Sequence, residues 1–237
     1  MTIKILGMVA SLACILGILT GPTQITAFAT TTRDSQRTTA TTSLTPGDTT
    51  GPVKPVDPDN PGGGFQPEPG DEDNHGTGST GVLTLDYVSN LTFKQGATTG
   101  QTLSATATNT KAFIQVSDRR YNGAGWKLTL LAGYPKGQSN GETLSQSSLA
   151  IGSTKFTPAI ANTVSNPPVT TLDGKQPVKM GESTLVGEAG RDAGIGTWLL
   201  RLNDNSASPM RLFFNSAQVT RKQSYAGELT WQLTEAP

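Results

Sequence analysis

Cysteine and histidine are nearly missing: the 237-residue chain has one of each, Cys14 and His75. Cys14 lies in an apolar N-terminal run and His75 in a glycine- and proline-rich stretch. A folded part downstream therefore has no zinc site built on these ligands, no cysteine nucleophile and no Ser-His chemistry. Aromatic residues make up 6%, charged residues 15% and hydrophobic residues 34%. That is too aromatic-poor for a densely packed large enzyme and too polar for a membrane-embedded protein. Excess charge of one sign is absent too: 18 basic residues balance 18 acidic ones. No overall field steers the chain to nucleic acid. Glycine and proline, by contrast, are plentiful at 27 and 15, as expected where part of a chain is linker.

The longest apolar run covers residues 5–19 and follows Lys4, the only charge before Arg33. Thr20-Gly21-Pro22 breaks it, and Ala27-Phe28-Ala29 offers the small-x-small pattern of a signal peptidase site. The run is short for a membrane span, which takes about 20 residues. Residues 1–29 therefore read as a signal peptide cleaved after Ala29. Cys14 sits inside the run, with Ser11 where a lipoprotein signal has leucine, so lipidation is not expected. Cleavage leaves a chain without cysteine and without a transmembrane segment, whose stability rests on a hydrophobic core.

Residues 30–80 read as a disordered linker. Residues 30–50 contain ten threonines, and Pro52, Pro55, Pro58 and Pro61 follow at the three-residue period of polyproline II. Such a segment has too little apolar surface to offset its chain entropy. Asp71, Asp73, His75 and Gly76 resemble the opening of a calcium loop, but its twelfth position is Val82 instead of glutamate. A solvated acidic run is the plainer reading. The linker carries a net charge of −5 and residues 81–237 a net charge of +4. The basic residues of the latter are scattered without interleaved aromatics, which suits mild attraction to an anionic envelope and not nucleic-acid recognition.

Residues 81–237 form the folded unit, with a periodicity of two. Leu83, Leu85 and Tyr87 alternate with polar residues, as do Trp126, Leu128 and Leu130, then Leu200 and Leu202, then Leu229, Trp231 and Leu233. Turn signals separate them, among them Tyr121-Asn122-Gly123-Ala124-Gly125, Ser139-Asn140-Gly141 and Asn166-Pro167-Pro168. This predicts an all-β fold, an antiparallel β-sandwich of Ig-like or barrel-like form, with room for one short helix in residues 142–162. Catalysis is not expected. Glu142, Asp173, Glu182, Glu188, Asp192 and Glu228 are available as acids, but no motif singles out a pair. No phosphate-cradling loop, metal set or cofactor motif is present.

Trp126-Lys127-Leu128 follows the Tyr-Asn-Gly-Ala-Gly turn, and Trp231-Gln232-Leu233 lies in a Leu-Thr-Trp-x-Leu segment close to Pro237. With the opening Gly81-Val-Leu-Thr-Leu-Asp-Tyr-Val and the Ala193-Gly-Ile-Gly-Thr-Trp198 segment, these motifs resemble the WxL domain, a cell-surface module of Gram-positive bacteria. The resemblance spans residues 81–237. It implies non-covalent attachment to the cell wall with peptidoglycan as ligand. It also implies company: other WxL proteins and a membrane-anchored WxL-interacting protein. No Leu-Pro-x-Thr-Gly sorting signal is present, which fits non-covalent retention.

Two readings of Trp-x-Leu stand. In one, Trp126, Leu128, Trp231 and Leu233 face inward and their burial stabilises the sandwich. In the other, they form an exposed platform for a sugar ring, with Lys127 or Gln232 supplying polar contacts and Arg119 and Arg120 pairing with wall carboxylates or teichoic phosphates. A different class of function is also open, a structural or adhesive subunit that binds a protein partner or host matrix by strand addition at a sheet edge.

Overall fold

The alternation seen in the sequence becomes strand wherever it occurs, because period-two residues can send one apolar row inward only in extended backbone. The computed structural model describes residues 51–152, 155–160, 165–172, 177–203 and 209–236. The expected signal peptide, and the first part of the expected linker, lie outside the described residues.

In chain order the strands begin with β1 (Leu83–Val88), β2 (Phe93–Thr99), β3 (Thr102–Ala107), β4 (Phe113–Asp118) and β5 (Trp126–Ala132). The middle adds β6 (Lys136–Gly137), β7 (Ser147–Ala150), β8 (Lys155–Pro158), β9 (Val169–Thr170) and β10 (Val178–Lys179). Then come β11 (Ser183–Ala189), β12 (Gly196–Arg201), β13 (Arg211–Asn215), β14 (Tyr225–Ala226) and β15 (Leu229–Glu235). Residues 142–162, where a helix had room, carry β7 and β8 instead. All strand pairs are antiparallel, in sheets ordered β1-β4-β12-β8, β10-β7-β13-β3-β2, β15-β5-β11-β9 and β14-β6. The fold is all-β, as the periodicity indicates.

One core joins the three larger sheets. Ile114 and Val116 of β4, Trp126, Leu128 and Leu130 of β5, Val186 of β11 and Trp198 and Leu200 of β12 meet there, with Leu149 and Phe156 from β7 and β8. The alternation misplaces one residue. A register shift between Leu85 and Tyr87 sends Tyr87 to the outer face of its sheet, while Leu83, Leu85 and Val88 stay inside. A β-bulge does this by putting two residues opposite one.

Outside, Tyr87 stacks on Phe113 at 4.5 Å between ring centroids, next to Leu199. Residues 51–80 cover this patch. The described part of the expected linker is thus a strap laid across the β1-β4-β12 sheet, in contrast to the free spacer that its composition suggests. Phe65 meets Tyr87 and Phe113 edge-on, and Val56 packs beside it. Gln115, fully buried, accepts from the Val56 amide at 2.9 Å and donates to the Lys54 carbonyl at 3.1 Å. The Glu68 carboxylate takes the amides of Thr110 and Lys111, both at 2.8 Å. Arg119 donates to the carbonyls of Gly51 and Gly81 and so clamps both ends of the strap.

The physical reason lies in partners, which composition does not display. Two apolar anchors land on an apolar patch, several polar groups find mates, and prolines with preset φ lose little entropy on ordering. Charge adds to this: Asp59 pairs with Lys111 at 3.1 Å and with Arg201. Part of the domain's positive charge thus meets the strap's own negative charge. Asp71, read as solvated, is buried and accepts from the Tyr87 hydroxyl at 3.0 Å and from Asn90 at 2.7 Å.

Beneath the strap, burial pushes the Asp86 carboxyl up against bonds from Ser117, Thr84 and Gln115 that favour the charged form. A carboxyl whose folded pKa lies above its unfolded one holds its proton longer in the native state. It therefore opposes folding increasingly as pH rises from the ordinary carboxylate range into the raised one. Asp86→Asn is expected to flatten that limb of the pH–stability curve in urea titrations. Phe65→Ala is expected to lower unfolding free energy by about 2 kcal/mol, less than a full core truncation because the ring is half-buried. An unchanged denaturation midpoint would show that the strap carries no stability.

Candidate functional site

The two Trp-x-Leu motifs lie side by side. In the antiparallel register of β5 and β15, Leu233 stands opposite Leu128, Trp231 opposite Leu130 and Glu235 opposite Trp126. Directly opposed residues share a face, so both apolar rows point to the core. Their burial differs because β5 is central and β15 is the edge strand of its sheet. Trp126 and Leu128 are fully buried. Trp231 and Leu233 pack against the rim of the core and remain partly open to solvent.

Burying an indole requires an acceptor for its N–H. Trp126 donates to the carbonyl of Gly194 at 3.2 Å and Trp198 to that of Ile195 at 3.1 Å. The Ala193-Gly-Ile-Gly segment thus satisfies both rings with two successive carbonyls. Gly194 has to be glycine: its φ is +70°, and a Cβ there would come within 2.7 Å of the Trp126 indole nitrogen. Phe156 meets the Trp126 ring edge-on at 5.6 Å.

Arg120 and Arg119 are engaged within the protein. Arg120 is bidentate to the buried Asp118 at 2.9 and 2.8 Å, donates to the Gly125 carbonyl at 2.7 Å and reaches Glu235 at 3.2 Å. The Asp118 bonds raise its pKa still further above neutrality. It ties the end of β4, the 121–125 turn and the last strand together. Arg119 is the strap clamp described above. Lys127 lies on the outer face of the sheet, half-buried, in register with Glu188 of β11 and Thr234 of β15. Of the seven candidate residues, Lys127, Trp231 and Leu233 thus present surface, Trp126 and Leu128 build the core, and Arg119 and Arg120 hold local structure.

In the sequence Tyr121 belongs to a turn signal; in the structure it is an exposed aromatic ring at this end of the sheet, with 55% of its surface open. Its backbone has φ +54°, a left-handed conformation that a tyrosine in the sequence does not announce.

Truncating Trp126 to alanine is expected to cost about 3–5 kcal/mol in urea denaturation, through lost burial and an orphaned Gly194 carbonyl. Trp231→Ala is expected to cost about 1–2 kcal/mol and leave the fold intact, since the ring is partly solvated already. Equal losses would contradict the difference between the two motifs.

A profile of one family, described as WxL domain surface cell wall-binding, matches residues 31–237. No curated protein and no solved structure is similar enough to match. The match covers the whole strap as well as the β-domain, consistent with the two forming one structural unit. The chain belongs to the WxL domain family of surface, cell wall-binding proteins.

Proposed function

We propose that this protein is exported, with its signal peptide removed after Ala29, and is held on the Gram-positive cell wall without a covalent bond by binding peptidoglycan. The observation that carries this reading is the family match over residues 31–237, which assigns surface and wall binding to nearly the whole chain. Lys127, Trp231 and Leu233 support a contact at the β15 side of the Trp-x-Leu sheet, where with Gln232 they are the motif residues that meet solvent. The role in this reading is binding. Glu142, one of the acids the sequence offers, is held at about 2 by hydrogen bonds from Thr220 and Tyr225, so it stays ionised at neutral pH. Other WxL proteins and a membrane-anchored WxL-interacting protein are the partners this placement brings within reach.

A second reading has an observation of its own. β15 is an edge strand, and an open edge is a template for an added strand from a protein partner or host matrix.

Sedimentation of the chain from residue 30 onward with sacculi stripped of protein and teichoic acid separates the readings. Direct wall binding gives co-sedimentation that persists as salt rises. Binding confined to low salt reduces the contact to diffuse charge attraction. No binding at any salt would overturn the peptidoglycan reading and leave strand addition at β15.

A further inference from the structure

Two residues other than glycine adopt positive φ among the described residues, Tyr121 at +54° and Asp192 at +59°. They stand in two turns that touch. The Asp192 amide donates to the Gly123 carbonyl at 2.9 Å, and a Cβ on Gly123 would lie 2.2 Å from Asp192 Oδ1. Left-handed backbone is strained for a residue with a Cβ, and such strain concentrates at functional sites. A tyrosine held there in order to bury its ring would recover the strain through packing. Tyr121 does not, since more than half of it is in water.

The turn below it is stiff. Arg120 fastens Gly125 to Asp118 and Glu235, the Ala124 amide donates to Asn122 Oδ1 at 3.0 Å, and the Ala236 amide donates to the Gly125 carbonyl at 3.2 Å. Beside the ring's turn, Asp192 and Arg191 are 75% and 93% exposed and only loosely paired at 3.9 Å. An aromatic face on a rigid mount, with an exposed carboxylate and a planar guanidinium on the facing turn, has the chemistry that recognises a sugar. The ring takes the C–H face of a pyranose, and the charged groups take hydroxyl and acetamido hydrogen bonds. Rigidity keeps the ordering penalty of binding low.

We propose that Tyr121 and Asp192, on the two facing turns, form a saccharide subsite whose ligand is a β-linked N-acetylhexosamine strand. This rests on the peptidoglycan reading and names the aromatic residue through which it operates. Trp126 of the adjoining motif then acts as the buried base of the mount.

The test compares the chain from residue 30 onward with Tyr121→Gly and Tyr121→Phe in sacculus sedimentation, with chitohexaose as soluble competitor. Glycine suits the left-handed turn, so Tyr121→Gly is expected to keep or raise the melting temperature while binding falls about tenfold or more. Tyr121→Phe is expected to bind like the parent, and chitohexaose to displace both. Parent binding that survives Tyr121→Gly unchanged would overturn this subsite and leave the wall-binding reading standing. Loss in Tyr121→Gly without competition by chitohexaose would overturn the saccharide assignment. A parent chain that does not sediment at all would remove the peptidoglycan reading and this subsite with it.

Discussion

An indole buried in a β-core needs a carbonyl that is not already used in a ladder, and this requirement organises much of the domain. Trp126 and Trp198 come from different sheets, yet their N–H groups end on neighbouring carbonyls, those of Gly194 and Ile195. The loop before β12 therefore has to run past both rings in one conformation. Gly194 allows it by its positive φ and by having no side chain where the Trp126 ring passes. With Trp126 fixed, β5 has its register, and β15 and β11 pair along its two sides. The Trp-x-Leu motif and the Ala193-Gly-Ile-Gly segment are two halves of a single hydrogen-bonded contact, 68 residues apart in sequence.

The second constraint is the opposite face of the β1-β4-β12 sheet. β4 is buried along its entire length, which a two-layer sandwich with one solvated face does not require. The strap supplies the missing cover, anchored by Phe65 in the aromatic patch and by Arg119 at both ends. A consequence for function is that residues 51–80 belong to the β-domain.

The elements legible in the sequence are those driven by period-two burial: β1, β5 and β15 show their alternation plainly, and the two Trp-x-Leu motifs point to the family. What could not be read were effects decided by partners distant in the chain. Tyr87 leaves its predicted face because of a bulge. The strap looks like linker because its stabilising contacts, Glu68 to the Thr110 and Lys111 amides among them, cross more than 40 positions. Arg119 reads as a free surface cation because its mates, Gly51 and Gly81, are distant in the chain, while Arg120 pairs with the nearby Asp118, whose burial the sequence does not display. The two Trp-x-Leu motifs are alike in sequence and unlike in burial, for the reason that one strand is central and the other an edge.

The most direct measurement is the fluorine NMR spectrum of the protein labelled with 5-fluorotryptophan, recorded in H2O and D2O and again with soluble peptidoglycan fragments. The three indoles are expected to give two resonances without a solvent isotope shift, from Trp126 and Trp198, and one with an intermediate shift, from Trp231. The two silent resonances are expected to stay in place when the fragments bind. A full solvent shift for Trp126, or its displacement on direct contact with the fragments, would contradict the account that its motif builds the fold and leaves ligand contact to exposed groups.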